Sequence, residues 1–421
     1  MFFHFVKNGD TLSKIAANYN IKEEQIAKDN SLINPNDLVI NQCLLINNEN
    51  TYYTVKEGDT LSSIANKYNV TLSSLKKANP NLSDIIYPNQ KILIVYNGGN
   101  KTKAKFNGYC YPGSNKDNVK KALPYLSHLS IFSYSVNENG TLNNINDQEF
   151  INLCYQYKVH PIMVITNSKS SGGFSPQIAN SVINDDIIIN RLFENIYQVI
   201  KDKGYYGLNI DFEYVNQGDK DAFINFIRKA HDYFHSKRIY LSISLAPKYK
   251  DDQKGLLYEA HDYKSLGQLV DNVIIMTYEW GYTFGPAMAV APYDEVEKVI
   301  KYATTRIEPK KILMGIPNYG YDFIIPYKEG QKATSITNPR AIPIAYDNHA
   351  EIKHSAKSRT PSFKYKKADV MHEVHFDDPY SIEEKLSLID KYHIGGGSIW
   401  TISTYVSYYY LLINNNFIIE D

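Results

Sequence analysis

The stretch GLNIDFEYV, residues 207–215, alternates apolar and polar side chains. Three polar residues occupy every second position: Asn209, Asp211 and Glu213. Successive side chains of a β-strand point to opposite faces, so a strand here places both acids on one face and the apolar side chains on the other. Such a strand either forms a sheet edge with its polar face in water, or turns that face toward the axis of a barrel.

Seven further β-rich runs flank this stretch along the chain: 106–111, 129–136, 160–167, 238–247, 272–280, 311–320 and 395–403. Amphipathic helical stretches separate most of them, for example 187–203, 219–236 and 381–392. Strands that alternate with helices build a parallel sheet, and eight such units predict a (β/α)8 TIM barrel over 106–421. A doubly wound open sheet is the alternative, although no glycine-rich phosphate loop accompanies it.

Two segments do not fit the strand-and-helix rhythm of the barrel. Residues 321–378 are too long for one loop between a barrel strand and its helix, and they predict a small inserted α+β subdomain with prominent β-structure. The polar, glycine-bearing stretch NGGNKTKAK ahead of the barrel predicts a flexible linker over 98–105.

The first hundred residues contain an internal repeat. FVKNGDTLSKIAANYNI (5–21) recurs as TVKEGDTLSSIANKYNV (54–70), and NQCLLI (41–46) recurs as NQKILI (89–94). Each copy predicts a short strand, two helices and a closing strand, which gives two βααβ domains. Their predicted bounds are 1–48 and 50–97. The Asp-Thr pair before the first helix of each copy favours a helix N-terminus, because both side chains accept hydrogen bonds from free N–H groups.

The repeats resemble LysM domains in the pattern GDTLxxIAxxY followed by NQxxxI. The resemblance implies binding of glycans that contain N-acetylglucosamine, such as peptidoglycan or chitin. A generic interaction module is the alternative. Two copies in tandem would raise avidity, because binding of one copy holds the other at a high local concentration.

The stretch 207–215 resembles the catalytic strand of glycoside hydrolase family 18, whose motif is D-G-x-D-x-D-x-E. Asp211 and Glu213 match the last two acids of that motif, whereas Tyr206 and Asn209 stand where the family has its first and middle Asp.

Three further stretches resemble family 18 motifs in the family's order along the chain. MTY (276–278) resembles the sixth-strand motif, GIPNYG (315–320) resembles the seventh-strand motif, and Trp400 in GSIWTIS resembles the eighth-strand tryptophan. The resemblance therefore extends over 106–421.

The resemblance implies cleavage in which the substrate's own 2-acetamido oxygen attacks the anomeric carbon. Glu213 would protonate the departing oxygen, for which burial and a neighbouring charge must raise its pKa. Asp211 would accept the acetamido N–H, Tyr278 would donate to the acetamido carbonyl, and Trp400 would form the floor under the sugar. Asn209 cannot titrate, so it should leave Asp211 with less like-charge coupling than an acid would.

Other candidate residues have a packing role as their alternative. Tyr109 and Tyr319 either border the sugar or pack in the core, and Met276 is a candidate substrate contact whose alternative is barrel packing. Tyr278 and Trp400 could likewise be core aromatics. We expect neither a metal nor another cofactor. The sequence MHEVHF, which carries His372 and His375, lacks the H-E-x-x-H spacing of a zinc site.

Composition excludes several classes of partner. Lys and Arg together number 45, and so do Asp and Glu, so no overall charge favours nucleic acid or an acidic membrane. The three cysteines, Cys43, Cys110 and Cys154, indicate neither a disulfide framework nor a metal-ligand spacing. The start MFFHFVKNGDTL lacks a signal peptide, and no run of about 18 apolar residues predicts membrane insertion.

The combination of two LysM-like repeats with this catalytic domain resembles the branch of family 18 that acts on spore cortex. Glu279 follows Tyr278 where chitinases often carry Asp. The resemblance implies a peptidoglycan hydrolase, an N-acetylglucosaminidase of the spore coat or cortex that acts in germination. The alternatives are a chitinase or general wall glucosaminidase, and a non-catalytic glycan-binding coat protein, against which the presence of Glu213 argues.

Overall fold

The structure of the chain, a computed structural model, describes residues 1–47, 52–68, 70, 72–79, 81–94, 101–169 and 171–420. Its strands are β1 (Phe2–Phe5), β2 (Cys43–Ile46), β3 (Tyr52–Thr54), β4 (Lys91–Leu93), β5 (Thr102–Cys110), β6 (His128–Ser135), β7 (His160–Thr166), β8 (Gly207–Asp211), β9 (Tyr240–Leu245), β10 (Asn272–Ile275), β11 (Ile312–Pro317), β12 (Gly320–Ile325), β13 (Thr334–Ile336), β14 (Lys353–His354), β15 (Pro361–Lys367), β16 (Val370–His375), β17 (Gly396–Trp400) and β18 (Phe417–Ile419).

Its helices are α1 (Leu12–Tyr19), α2 (Glu23–Asp29), α3 (Leu61–Tyr68), α4 (Leu72–Ala78), α5 (Lys116–Ala122), α6 (Gln148–Tyr157), α7 (Pro176–Ile183), α8 (Asp186–Lys203), α9 (Lys220–His235), α10 (Tyr263–Gln268), α11 (Tyr293–Ala303), α12 (Ala341–Asp347), α13 (Pro379–Lys391) and α14 (Ser407–Asn416). Short 3₁₀ turns lie at Leu123–Tyr125, Gln217–Asp219, Pro309–Lys311 and Asn338–Arg340.

Eight parallel strands close into a barrel. β5 to β11 pair in chain order, β11 then pairs with β17, and β17 pairs back with β5 through Gly396 and Lys105. The predicted (β/α)8 barrel is confirmed, and the closed ring excludes the doubly wound open sheet. β8 lies between β7 and β9 with all five residues buried, so it is not an edge strand with a solvated face.

The apolar residues of the stretch 207–215 face the helical layer outside the barrel. The ring of Phe212 stacks on Phe226 of α9, with centroids 5.7 Å apart and planes at 15°. Burial of such large side chains between strands and helices supplies much of the drive for folding, and it leaves the polar side of β8 facing the barrel axis.

Two predicted boundaries differ from the observed ones. Of the predicted linker over 98–105, residues 98–100 lie outside the described residues, and from Thr102 the chain already forms β5. The linker prediction fails there because Thr102 pairs with Phe417 of β18, a partner too distant in sequence to be visible locally. β8 ends at Asp211, so Glu213 lies in the loop at the carboxyl end of the strand rather than within it.

A second sheet occupies the segment between β11 and α13. Its strand order is β13-β12-β16-β15-β14, all neighbours are antiparallel, and α12 packs against it. This is the predicted inserted α+β subdomain. Its buried residues form a cluster of their own, separate from the core of the barrel.

The two repeats fold as the predicted βααβ units. β1 pairs with β2 and β3 pairs with β4, both antiparallel. Of each Asp-Thr pair, the threonine caps the helix: the Thr11 hydroxyl accepts from the N–H of Lys14 at 3.2 Å, and the Thr60 hydroxyl accepts from Ser63 at 3.0 Å. The aspartate instead closes the preceding turn, as Asp10 does by accepting the N–H of Lys7 at 2.8 Å.

The first repeat is docked on the barrel rather than tethered to it. Phe3, which is 5% exposed, meets the ring of Tyr380 in α13 edge-on, with centroids 5.9 Å apart. Cys43 and Leu45 of β2 belong to the same continuous apolar cluster as the barrel core. On its other side the first repeat meets the second, where Phe2 approaches Tyr68 at 6.2 Å. The first repeat therefore contacts both the barrel and the second repeat.

We expect Phe3→Ala to destabilise the barrel itself, by about 3 kcal/mol, because the change leaves a cavity against Tyr380. Both tryptophans, Trp280 and Trp400, belong to the barrel, so tryptophan fluorescence during thermal unfolding reports on the barrel alone. The midpoint should fall by several degrees in the variant. Tyr52→Ala, at a tyrosine that is 60% exposed, is the control and should leave the midpoint nearly unchanged. An unchanged midpoint in Phe3→Ala would mean that the repeat and the barrel unfold independently.

Candidate active site

A network of neutral hydrogen bonds fills the barrel beneath the acids. Asn209 Oδ1 accepts from the Tyr109 hydroxyl at 3.2 Å and from the Ser244 hydroxyl at 3.1 Å. Asn209 Nδ2 donates to Ser242 Oγ at 3.0 Å. All four side chains are buried, so the network is complete without water. Asn209 thus holds its neighbours in place and brings no charge to the interior.

Asp211 lies one step above Asn209 on the inward face of β8. It is 4% exposed, and its Oδ1 has no hydrogen-bond partner among the described residues. Burial raises the pKa of Asp211 to about 7, although the Ser244 hydroxyl opposes the rise. A buried acceptor without a partner is costly to a folded protein. It is also ready to take a hydrogen bond from a ligand that enters the barrel mouth.

The main chain at Glu213 is pinned by two side chains from neighbouring loops. The Glu213 N–H donates to Asn167 Oδ1 at 2.9 Å, and Asn167 Nδ2 donates to the Glu213 carbonyl at 2.8 Å. His261, whose pKa burial lowers to about 4, stays neutral and donates from Nε2 to the carbonyl of Phe212 at 3.1 Å. Tyr214 then turns the chain away with a φ of 56°. This backbone geometry fixes the direction in which the Glu213 side chain points from the loop that follows β8.

Asn167 was not among the residues singled out from sequence. It ends the run HPIMVITN, one residue beyond β7, where polar residues at the carboxyl ends of barrel strands are candidates for site roles. Because it bonds the main chain of Glu213 and not its carboxyl, Asn167 is a positioning residue.

Glu279 is a third acid near Asp211 and Glu213. Burial raises the pKa of Glu213 well above its usual value, and the negative charges of Asp211 and Glu279 raise it further. Glu279 accepts hydrogen bonds from the hydroxyls of Tyr319 and Tyr321. Glu213 is therefore a carboxylic acid at neutral pH, as proton donation requires. Tyr319, predicted to border the sugar, holds Glu279.

Tyr278 follows β10, and its ring lies close to Gly315 of β11. A Cβ added at Gly315 would come within 2.8 Å of Tyr278 Cε1, so the first glycine of GIPNYG makes room for the ring. Thr277 fixes the turn by donating from its hydroxyl to the Gly315 carbonyl at 2.7 Å. Burial raises the pKa of Tyr278 well above its usual value, and Tyr109 and the acid Asp211 add to the rise. The phenol therefore stays protonated, within electrostatic reach of the acids.

Trp400 ends β17 within a layer of aromatic rings inside the barrel. Its ring meets Phe132 at 4.8 Å and Tyr109 at 5.1 Å, and it packs on the apolar cluster formed by Val164 and its neighbours. Trp400 keeps part of its surface exposed, as a sugar floor requires. Tyr109 is 2% exposed and its hydroxyl is used by Asn209, so its burial argues against the predicted contact with the sugar.

Met276 is half-buried directly after β10, which leaves both packing and substrate contact open to it. His372 pairs with Asp322 at 2.9 Å and His375 pairs with Glu373 at 3.1 Å, both within the inserted sheet.

Over the described residues, no cluster of three or more His, Cys, Asp or Glu is arranged to hold a metal ion. Nor does any described helix have the length and apolar character needed to cross a membrane.

Family comparisons agree with the architecture and the motifs. The family described as Glycosyl hydrolases family 18 matches residues 93–404. The LysM domain matches residues 4–47 and 53–95. The chain belongs to glycosyl hydrolase family 18 and carries two LysM domains, so it is a glycoside hydrolase, and the resemblance seen in the sequence is confirmed.

Several relatives match along the whole chain. The cortical fragment-lytic enzyme of Bacillus subtilis (strain 168) is 36% identical over 425 residues, which cover 99% of this chain and 98% of the relative. The crystal structure of the spore cortex-lytic enzyme SleL of Bacillus megaterium QM B1551 has a TM-score of 0.87 at 34% identity, over 99% of this chain and 98% of that one. A chitinase from Chromobacterium violaceum ATCC 12472, with a TM-score of 0.68 at 24% identity, covers 74% of this chain and 98% of its own and shares the fold alone.

Glu279→Gln should move the alkaline limb of the pH–activity profile to lower pH. Glu213 must be protonated to act as an acid, so activity is lost as pH rises through its pKa. The charge of Glu279 raises that pKa, and its removal lowers it. The measurement is kcat/KM against pH on a soluble glycan fragment. Glu308→Gln, at an exposed acid on the opposite end of the barrel, is the control and should keep the profile. An alkaline limb that stays in place or rises in Glu279→Gln would contradict the assignment.

Proposed function

We propose that this protein hydrolyses spore cortex peptidoglycan at bonds beside N-acetylglucosamine, by retaining, substrate-assisted catalysis, and that it acts in spore germination. The observation that carries the proposal is the 36% identity to a cortical fragment-lytic enzyme over nearly the full length of both chains. The acids, tyrosine and tryptophan described above supply the chemistry that the proposal needs. The sequence leaves two alternatives, a chitinase or general wall glucosaminidase and a non-catalytic coat protein. Comparing the cleavage of cortex fragments with that of chitin oligomers distinguishes them.

In the first step Glu213 acts as the general acid. A sugar bound over Trp400 presents its 2-acetamido group to Asp211 and Tyr278. The acetamido oxygen attacks the anomeric carbon as the bond to the leaving oxygen breaks, and Glu213 gives its proton to that oxygen. The acetamido N–H donates to the unpartnered oxygen of Asp211, whose charge stabilises the cyclic oxazolinium ion. Tyr278 donates its hydroxyl proton in a hydrogen bond to the acetamido group and keeps it in line.

In the second step Glu213, now a carboxylate, acts as the general base. It removes a proton from water as that water attacks the anomeric carbon from the side the leaving group occupied. The oxazolinium ring opens, the acetamido group is restored and Glu213 regains its proton. The two displacements at one carbon leave the anomeric configuration unchanged. Asn209 takes no part in proton transfer, because both ends of its amide are bonded within the barrel.

The LysM domains bind glycan and hold the enzyme on its polymeric substrate. We infer an association with the spore coat and cortex from the names of the full-length relatives. A neutral glycan fits the balance of charges in the chain, since no excess charge is available to favour a polyanion.

Glu213→Gln should reduce hydrolysis of soluble cortex fragments by at least about a thousandfold, because the amide cannot give or take the proton. Binding to insoluble cortex should persist, since the side chain is isosteric. Mass spectrometry of the products identifies the bond that is cleaved, and Glu308→Gln is the control that keeps activity.

Three outcomes would contradict the proposal. Normal turnover by Glu213→Gln would remove the acid–base role of Glu213. Cleavage of chitin oligomers but not of cortex fragments by the native enzyme would favour a chitinase. Binding without cleavage of either substrate would favour a non-catalytic coat protein.

A further inference from the structure

The inserted sheet presents a different set of side chains on each of its two faces. Phe363 of β15 is the register partner of Val374 of β16, and Val374 pairs in turn with Asp322 of β12. Successive side chains of a strand point to opposite faces, so Tyr321 and Phe323, the neighbours of Asp322, lie on the face opposite to Phe363. The sheet can therefore contact two separate parts of the molecule, one on each face.

The face that carries Phe363 packs against the first LysM domain. Val39, in the turn before β2, is 5% exposed and belongs to the apolar cluster of Phe363 and Val374, whereas the two LysM domains share a cluster of their own. Beside it, the Ile40 carbonyl accepts from the N–H of Ile352 at 3.3 Å. Val39 therefore serves the docking of its domain on the sheet.

Two further contacts hold the first LysM domain on the inserted sheet. The Asn41 amide donates to Glu351 Oε1 at 2.9 Å. The ring of Phe5 in β1 meets His354 of β14 edge-on, with centroids 5.0 Å apart, and His354 pairs with Asp378 at 2.7 Å where α13 begins. Contacts at two separate points of the domain fix the orientation of the sheet as well as its position.

The opposite face of the sheet holds the loop that carries Glu279. The Tyr321 hydroxyl donates to Glu279 Oε1 at 3.1 Å and accepts from the Thr283 hydroxyl at 3.1 Å. Tyr319, which leads into β12, also donates to Glu279. Tyr321 packs in an apolar cluster with Val290, farther along the same loop. The loop after β10 is thus seated on the inserted sheet at several points.

Glu279 is the group through which the sheet can act on the acid Glu213. The negative charge of Glu279 favours the protonated form of Glu213. The other titratable groups that interact with Glu213 belong to the barrel strands and the loops that follow them: Asp211, Tyr109, Tyr278 and Tyr214. Glu279 differs in its hydrogen bond to Tyr321 of the inserted sheet, so its place depends on where the sheet lies.

We propose that the first LysM domain is a positioning element of the active site: it braces the inserted sheet from behind and thereby sets the place of Glu279 beside Glu213. This role rests on the proposed function in that Glu213 is the general acid. Val39 is a positioning residue, because it acts through the sheet. Three hydrogen-bonded strands, β15, β16 and β12, join the two contacts, and densely packed interiors transmit a displacement from one side to the other.

Val39→Asp in the full-length enzyme should move the alkaline limb of kcat/KM to lower pH, as Glu279→Gln does. On a soluble glycan fragment, kcat/KM should fall about fivefold at the alkaline end of the profile, and less at the acid end. Val39→Lys should act in the same direction, which separates displacement of the sheet from the effect of a new charge. In the double variant with Glu279→Gln, Val39→Asp should move the limb no further, whereas independent changes would add.

Tyr87→Asp is the matched control in the second LysM domain. Gln42 Oε1 accepts from the N–H of Val39, and Gln90 Oε1 accepts from the N–H of Tyr87, both at 3.1 Å, so the two residues hold equivalent positions. Tyr87 is 66% exposed, so a charge there should leave the pH profile unchanged.

Glu351 offers a milder change on the catalytic side of the same contact. Glu351→Ala removes the acceptor of the Asn41 amide and should move the alkaline limb in the same direction as Val39→Asp, by a smaller amount. Glu351→Gln keeps an acceptor oxygen and should retain the native profile. This pair decides the question even if Val39→Asp does not fold.

Trp280 provides a readout that does not depend on hydrolysis. It follows Glu279, and Trp400→Phe leaves it as the one tryptophan of the sequence. In that background Val39→Asp should shift the Trp280 emission maximum and increase its quenching by acrylamide, and Tyr87→Asp should do neither.

An alkaline limb that stays in place in both Val39→Asp and Glu351→Ala, additive shifts in the double variant, or unchanged Trp280 emission would overturn the positioning role. A native enzyme that does not hydrolyse the fragment would instead refute the proposed function, and the fluorescence comparison would still decide whether the domain sets the loop.

Discussion

Burial of the Asp211 carboxyl in the mouth of a closed barrel is the constraint on which the rest of the site depends. A carboxyl group removed from water resists ionisation, and a negative charge nearby makes its ionisation harder still. Glu213 is buried beside Asp211, and that burial, together with the charges of Asp211 and Glu279, raises the pKa of Glu213 well above its usual value. Among the described residues, Asp211 Oδ1 has no hydrogen-bond partner. Burial of the two acids thus supplies both groups that the proposed mechanism needs: an acid that can give a proton, and an acceptor for the acetamido N–H.

The residues around Asp211 and Glu213 limit the free-energy cost of burying the two acids and fix their geometry. Asn209 stands where the family motif has a middle acid, and both ends of its amide are hydrogen-bonded, so this position adds no charge inside the barrel below Asp211. Asn167 holds the backbone of Glu213 from the adjacent strand end, and Gly315 leaves the space that the ring of Tyr278 fills. Each contact acts on orientation rather than on chemistry, which is how preorganised sites obtain their rate advantage.

Local sequence pattern was sufficient for the barrel, the inserted sheet and the two βααβ repeats, because each depends on periodicity and turn chemistry that short stretches carry. Local pattern predicted Asp211 and Trp400 within strands, and they are the last residues of β8 and β17, whereas Glu213 and Tyr278 lie two and three residues beyond the strands predicted to contain them. It failed where distant segments meet. The pairing of Thr102 with Phe417 turned a predicted linker into a strand, and the bonds of Asn167 to the Glu213 backbone join residues 46 positions apart. Docking of the first repeat depends on surfaces that become adjacent only after folding.

The central claim is that the acetamido oxygen of the substrate, guided by Asp211, is the nucleophile. The most direct measurement is kcat/KM for a series of N-acetylglucosamine substrates whose acetyl methyl carries zero to three fluorines, with the leaving group kept constant. Fluorine withdraws electron density from the amide oxygen, so the account predicts that kcat/KM falls steeply with each fluorine, by about a hundredfold or more across the series. Rates that are insensitive to fluorination would contradict it, because the attacking group would then have to belong to the protein or to water.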